Sequence, residues 1–138
     1  MTDRPVPFPR GEERLFFDAA RQKHLAYQQC DVCGTRTAYP RTVCPSCLSD
    51  RLTPHRAAGT GVVHSFTTLH RAGNPAMSDR VPYTVVLVDL DEGVRVLADL
   101  VDAPGEVTPG IGMRVEAVFE ELTPEISIPR FRASVVAR

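Results

Sequence analysis

Hydrophobic positions recur along this chain with two periods, and the change from one to the other falls near Gly59. Before it, Leu15, Phe16, Ala19 and Ala20 share one face at helical spacing, with Glu12 and Glu13 ahead of them and Arg21 and Lys23 behind. Acid first and base last suits the helix dipole, so the pattern predicts an amphipathic helix over residues 11–24. Phe17 lies off the main apolar stripe and is expected to pack on the body of its own domain. Upstream, Pro5, Pro7 and Pro9 alternate with Val6 and Phe8, which excludes helix and predicts an extended arm. Leu25 to Gln29 reads as a short strand.

After Gly59 and Gly61 the period becomes that of strands. Val62–His70 alternates bulky and polar residues, and Tyr83–Leu90 and Val94–Val101 flank Asp91-Glu92-Gly93 as a hairpin. Met113–Phe119 and Phe131–Val136 complete a set of five. Five short strands linked by Gly- and Pro-rich turns fit a small closed barrel, for which the oligonucleotide/oligosaccharide-binding (OB) topology is the commonest five-stranded solution. Strand count alone leaves the topology open. The run Val85-Val86-Leu87-Val88 is apolar on both faces, so its outer face needs a cover, either the N-terminal helix or a partner protein.

The chemistry is concentrated in four cysteines, Cys30-x2-Cys33-x10-Cys44-x2-Cys47. Two such pairs are the spacing of metal-binding knuckles that face each other around one tetrahedral ion. Gly34 follows the first pair and Pro45 lies within the second, residues that suit the tight turns. Cysteines two residues apart are poorly placed to pair with each other as disulfides, and no apolar leader precedes them. Four thiolates leave the ion no open position, which predicts a structural zinc rather than a catalytic one. Arg36, Arg41 and Arg51 lie near enough in sequence to offset the negative charge of the cage.

Composition narrows the function classes. The chain has 138 residues, 43% hydrophobic and 24% charged, as expected of one ordinary globular domain or two small units sharing a surface. No stretch reaches the ~20 apolar residues of a membrane span, and reduced metal-binding thiols imply a cytoplasmic protein. Residues 1–56 hold nine Arg or Lys against six Asp or Glu, whereas residues 57–138 hold seven against eleven. The barrel half therefore has the wrong sign for a nucleic-acid-binding face.

No catalytic constellation assembles from the sequence. His24, His55, His64 and His70 are scattered, and there is no G-x-G-x-x-G or phosphate-binding loop. Asp89 and Asp91, and Glu120 and Glu121, read as solvated strand ends.

The ordered motifs resemble the bacterial and archaeal zinc-ribbon, OB-fold proteins associated with acyl-CoA metabolism. The residues that carry the likeness are Phe16-Phe17-Asp18-Ala19-Ala20, Cys30-Asp31-Val32-Cys33-Gly34, Tyr39-Pro40-Arg41 before Cys44-Pro45-Ser46-Cys47, Gly59-Thr60-Gly61-Val62-Val63-His64-Ser65-Phe66-Thr67, Pro82-Tyr83 and Gly110-Ile111-Gly112-Met113-Arg114-Val115 with Phe119. Two departures stand out: the family usually has tryptophan between the ribbon and the Gly-x-Gly strand, where this chain has Thr53-Pro54, and often again at the position of Phe17.

The resemblance implies a mainly β fold: an extended arm at 1–10, a helix and rubredoxin-like zinc ribbon at 11–56, and a five-stranded OB barrel at 57–138. It also implies a non-catalytic subunit that binds a thiolase-like enzyme (thiolase, acyltransferase or aldolase) or a hydratase and helps enclose its acyl-CoA. Zinc would be held by Cys30, Cys33, Cys44 and Cys47. Contacts to CoA or the partner would come from Arg14, Phe17, Arg21, Lys23, His64, Phe66, His70, Arg71, Arg80 and Tyr83. Two other classes compete. One is a nucleic-acid-binding ribbon and barrel, disfavoured by the sparse positive charge around Phe66, Tyr83 and Phe131; the other is a free-standing acyl-CoA enzyme using His64 or His70.

Overall fold

The change of period in the sequence is a change of sheet. The computed structural model describes residues 5–101 and 109–134; Val135 and Val136 of the expected last strand, and residues 1–4 of the arm, lie outside the described residues. Helix α1 (Glu13–Arg21) is followed by strands β1 (Leu25–Cys30), β2 (Arg36–Thr37) and β3 (Leu52–Ala57), which form an antiparallel sheet in the order β2-β1-β3. Then β4 (Thr60–Leu69), β5 (Tyr83–Leu90), β6 (Arg95–Asp99), β7 (Arg114–Thr123) and β8 (Ile126–Ala133) pair in the order β6-β5-β4-β7-β8.

That second sheet closes on itself. Leu100 pairs in parallel with Phe131, and the Val101 N–H donates to the Phe131 carbonyl at 2.7 Å. Arg130 on β8 reaches across the same seam to Asp99 on β6 through two hydrogen bonds of 2.9 and 2.7 Å, with both side chains mostly buried. Five antiparallel-paired strands joined by one parallel contact between the third and the fifth give the OB barrel, mainly β as expected.

Helix α1 is shorter than its pattern predicts, because Gly11 and Lys23 both take positive φ (55° and 67°) and stop it at either side. It buries Ala19 and Ala20, adds Phe16 to the core and packs against β8, β1 and β7. It is therefore not the cover for the outer face of β5. There Val85 and Leu87 are half-buried, and Leu97, the β6 neighbour of Leu87, is 54% exposed.

One continuous core joins the two sheets. Val63, Val86, Val88, Val115 and Phe131 of the barrel pack in the same cluster as Leu25, Tyr27, Ala38 and Ala57 of the ribbon sheet. Two polar ties reinforce it. The Tyr39 hydroxyl accepts the Leu97 N–H at 2.7 Å, so the ribbon pairs the open edge of β6. The β5–β6 turn serves as the second: the Glu92 carboxylate accepts the Ala58 N–H at 2.8 Å, and its carbonyl accepts from Arg36 at 2.8 Å.

Candidate metal centre and neighbouring surfaces

Each knuckle is a tight turn closed by a backbone hydrogen bond. The Gly34 N–H donates to the Cys30 carbonyl at 3.0 Å, and the Leu48 N–H donates to the Cys44 carbonyl at 2.9 Å. Both closing residues are left-handed, Gly34 at φ 82° and Leu48 at φ 66°. Glycine adopts this conformation without penalty; leucine does not.

The turns bring the four cysteine sulfurs within 4.8 Å of one another. Cys30 Sγ stands 3.6 Å from Cys47 Sγ, and Cys33 Sγ stands 3.6 Å from Cys44 Sγ. Four sulfurs each about 2.3 Å from one ion sit about 3.8 Å apart, so the cage fits a tetrahedral zinc. All four cysteines are free thiols, with Cys30 and Cys44 buried and Cys33 and Cys47 at the surface.

Backbone N–H groups prepare the cage for thiolates. Those of Val32 and Cys33 approach Cys30 Sγ at 3.4 and 3.5 Å, and that of Ser46 approaches Cys44 Sγ at 3.3 Å. The Cys33 N–H chiefly, then that of Val32, holds Cys30 below the usual thiol range. The Cys47 N–H, helped by that of Ser46, brings Cys44 down to about 6. The Ser49 N–H also acts to lower Cys47, but burial and the three neighbouring sulfurs outweigh it and push that thiol up to about 12. Sulfurs that resist a further negative charge are what a divalent cation relieves.

The arginines do not all serve the cage. Arg36, expected to offset its charge, bonds Gln29 and the Glu92 carbonyl and lies 5.3 Å from the centre of the Tyr27 ring. It ties ribbon to barrel.

The remaining candidate residues fall into separate groups. Arg14, Arg21 and Lys23 are exposed along and just beyond α1. Phe17 packs edge-on against Phe16 at 5.2 Å, and with Tyr39, Pro40 and Arg41 it lines a cleft of about 380 Å³. His70, Arg71, Arg80 and Tyr83 gather around the β4–β5 connection, where Leu69 pairs with Tyr83. That end is a ten-residue strand, ~30 Å, from Thr60 beside the ribbon. Phe66 pairs with Val86 of the neighbouring strand β5 and is 38% exposed.

His64 sits in a bulge between Val63 and Ser65, with its Nδ1 3.2 Å from Arg95 and 3.5 Å from Asp89. Among the described residues no hydroxyl or thiol is hydrogen-bonded to it, so the geometry supplies a histidine beside Arg95 and Asp89 without a nucleophile. Asp91, read as a solvated strand end, instead accepts from Thr60 at 2.6 Å and from Arg114 at 3.0 and 3.2 Å. Those bonds, Arg114 first, hold its carboxyl below the usual range; Arg95 does the same for Asp89. Glu120 belongs to β7 and sits 3.5 Å from Arg130. Spacing alone gave no sign of these pairs, because each forms only once strands pair in their final register.

Comparison with known proteins agrees with this architecture. Residues 17–53 match the family model described as "ChsH2, rubredoxin-like zinc ribbon domain", and residues 55–120 match "ChsH2, C-terminal OB-fold domain". A "Probable enoyl-CoA hydratase alpha subunit" of Thermomonospora curvata is 38% identical over 133 residues, 96% of this chain but 40% of that protein. A "DUF35 domain-containing scaffold protein" of Methanocaldococcus jannaschii is 32% identical over 68% of this chain and 66% of its own length. The chain thus spans less than two thirds of each of these relatives. Among solved structures, a chain of the "Ltp2-ChsH2(DUF35) aldolase" superposes with a TM-score of 0.78 at 38% identity, covering 94% of this chain and 99% of that one.

Proposed function

This chain belongs to the DUF35 family, with a ChsH2-type zinc ribbon followed by a ChsH2-type OB-fold domain, and on that premise we propose that it is an accessory subunit of an acyl-CoA-processing enzyme. The observation that carries the proposal is its likeness, across nearly its whole length, to a chain of the Ltp2–ChsH2 aldolase. The favoured partner is a thiolase-fold protein; a hydratase is the alternative suggested by the Thermomonospora relative.

The division of labour follows from the site. A four-sulfur cage fixes the ribbon and has no vacant ligand position for substrate, so zinc holds structure and Cys30, Cys33, Cys44 and Cys47 are its ligands. The described histidines lack a nucleophile, which supports a non-catalytic role. The outer face of β5 and β6, with Val85, Leu87 and Leu97, offers apolar area to a protein partner. Enclosing a long, flexible pantetheine arm restricts its freedom and keeps water from the thioester, which is a service a barrel wall can perform without reacting.

The test is co-expression with the thiolase-fold protein of the same host, followed by size-exclusion chromatography of the tagged pair. A single co-eluting species of fixed stoichiometry is expected. Separate elution at micromolar concentration from both that protein and a hydratase candidate overturns the proposal.

A further inference from the structure

The two knuckles share one layout, Cys30-Asp31-Val32-Cys33-Gly34-Thr35 and Cys44-Pro45-Ser46-Cys47-Leu48-Ser49, and each ends on a hydroxyl residue. Both of these residues are half-buried, and both brace their turn through the backbone. The Thr35 carbonyl accepts the Cys30 N–H at 2.8 Å, and the Ser49 carbonyl accepts the Cys44 N–H at 2.7 Å. Their side chains differ. The Thr35 hydroxyl lies 3.1 Å from Cys33 Sγ, whereas the Ser49 hydroxyl accepts the Arg51 N–H at 3.0 Å.

Three of the sulfurs are met by backbone N–H groups: Cys30 by those of Val32 and Cys33, Cys44 by that of Ser46, and Cys47 by that of Ser49. Among the described residues, the group outside the cage that is hydrogen-bonded to Cys33 Sγ is the Thr35 hydroxyl. Cys33 is also one of the two exposed ligands, open to water and to electrophiles. A metal-bound thiolate carries no proton and can only accept, so with zinc held by the cage the hydroxyl must be the donor. A hydrogen bond of this kind draws charge from the sulfur, which steadies a crowded four-thiolate site and makes the sulfur a poorer nucleophile.

We propose that Thr35 is a positioning residue of the metal centre, whose hydroxyl orients the exposed Cys33 thiolate and protects it from attack. Ser49 stands at the equivalent place in the second knuckle and has no such part, because its hydroxyl is engaged by Arg51 and the Ser49 N–H serves Cys47 instead. The two positions therefore provide an internal control: the same kind of side chain in the same turn, with a sulfur bond in one and none in the other.

The experiment is competition for zinc between the full chain and a chromophoric chelator, together with the absorption spectrum of the cobalt-substituted form. Thr35→Val, which keeps the branched shape and removes the hydroxyl, should weaken zinc binding by about tenfold and move the sulfur-to-cobalt charge-transfer band to longer wavelength. Alkylation of the zinc-loaded protein, mapped by mass spectrometry, should reach Cys33 faster in this variant. Thr35→Ser should restore all three readings, and Ser49→Ala should leave them at the parent's values. Should Thr35→Val fail to fold, Thr35→Ala set against Thr35→Ser makes the same comparison. Equal effects of Thr35→Val and Ser49→Ala, no effect from loss of the Thr35 hydroxyl, or failure of serine to restore the parent's values overturns the assignment. Metal content of the parent chain separately tests the zinc reading on which the assignment rests, with about one ion per chain expected. A metal-free parent with intact thiols overturns that reading, whereas a zinc-loaded parent with indifferent Thr35 variants overturns the role of Thr35 alone.

Discussion

At the scale of single residues, the two knuckles show how one backbone requirement is met in two ways. Gly34 and Leu48 close equivalent turns with positive φ, yet Leu48 carries a side chain that is 73% exposed and gains little from burial. Leu48→Gly should therefore leave the protein as stable or raise its unfolding free energy by up to about 1 kcal/mol, read by thermal melting of the zinc-loaded form. The four cysteines were legible because ligand spacing is local. Asp91 was not, because its meaning comes from Thr60 and Arg114, 31 and 23 residues away. Its folded carboxyl is depressed, so its contribution is present above the unfolded value near 3.8 and fades as pH falls through the lower folded value. Asp91→Asn should be less stable than the parent at neutral pH, with the difference closing below pH 3.8 in denaturant titrations.

At the scale of elements, alternation located β4 and a dense β-branched apolar run located β5, both nearly to the residue. It missed β3, whose Leu-Thr-Pro-His-Arg-Ala has no alternation and a proline; only pairing with β1 makes it a strand. The last strand begins at Ile126, five residues before the expected start at Phe131, and the stretch missed contains Pro129, a poor strand residue that nonetheless pairs with Phe119 of β7. Gly61 illustrates the demand of close strands: a Cβ there would meet the Asp89 carbonyl. Gly61→Ala should cost about 2 kcal/mol or more through overpacking, measured by urea unfolding. Tyr39 is gentler. Tyr39→Phe removes the acceptor for the Leu97 N–H and should cost about 1 kcal/mol or less, because water reaches that edge.

At the scale of the whole molecule, a metal cage and a barrel share one core, so the ribbon is more than an appendage. Its small sheet has little apolar area apart from that shared cluster, and removal of zinc should loosen the ribbon first. Chelation followed by hydrogen exchange should deprotect β1 and β2 while β5 and β7 stay protected; simultaneous loss would show that the barrel has no stability of its own. The fold was readable because each half carries a strong periodic or spacing signal. The seam was not, because Leu100 and Phe131 meet only when the barrel closes; the outer face of β5 was, because Val85-Val86-Leu87-Val88 is apolar on both faces.

The central claim is that this protein completes another enzyme rather than turning over substrate itself. The most direct measurement is thioester turnover by the purified thiolase-fold partner, alone and with one equivalent of this chain. The account predicts weak activity from the partner alone, none from this chain alone, and a large rise on mixing. A partner fully active without it, or a lone preparation of this chain that consumes the thioester, would contradict the account.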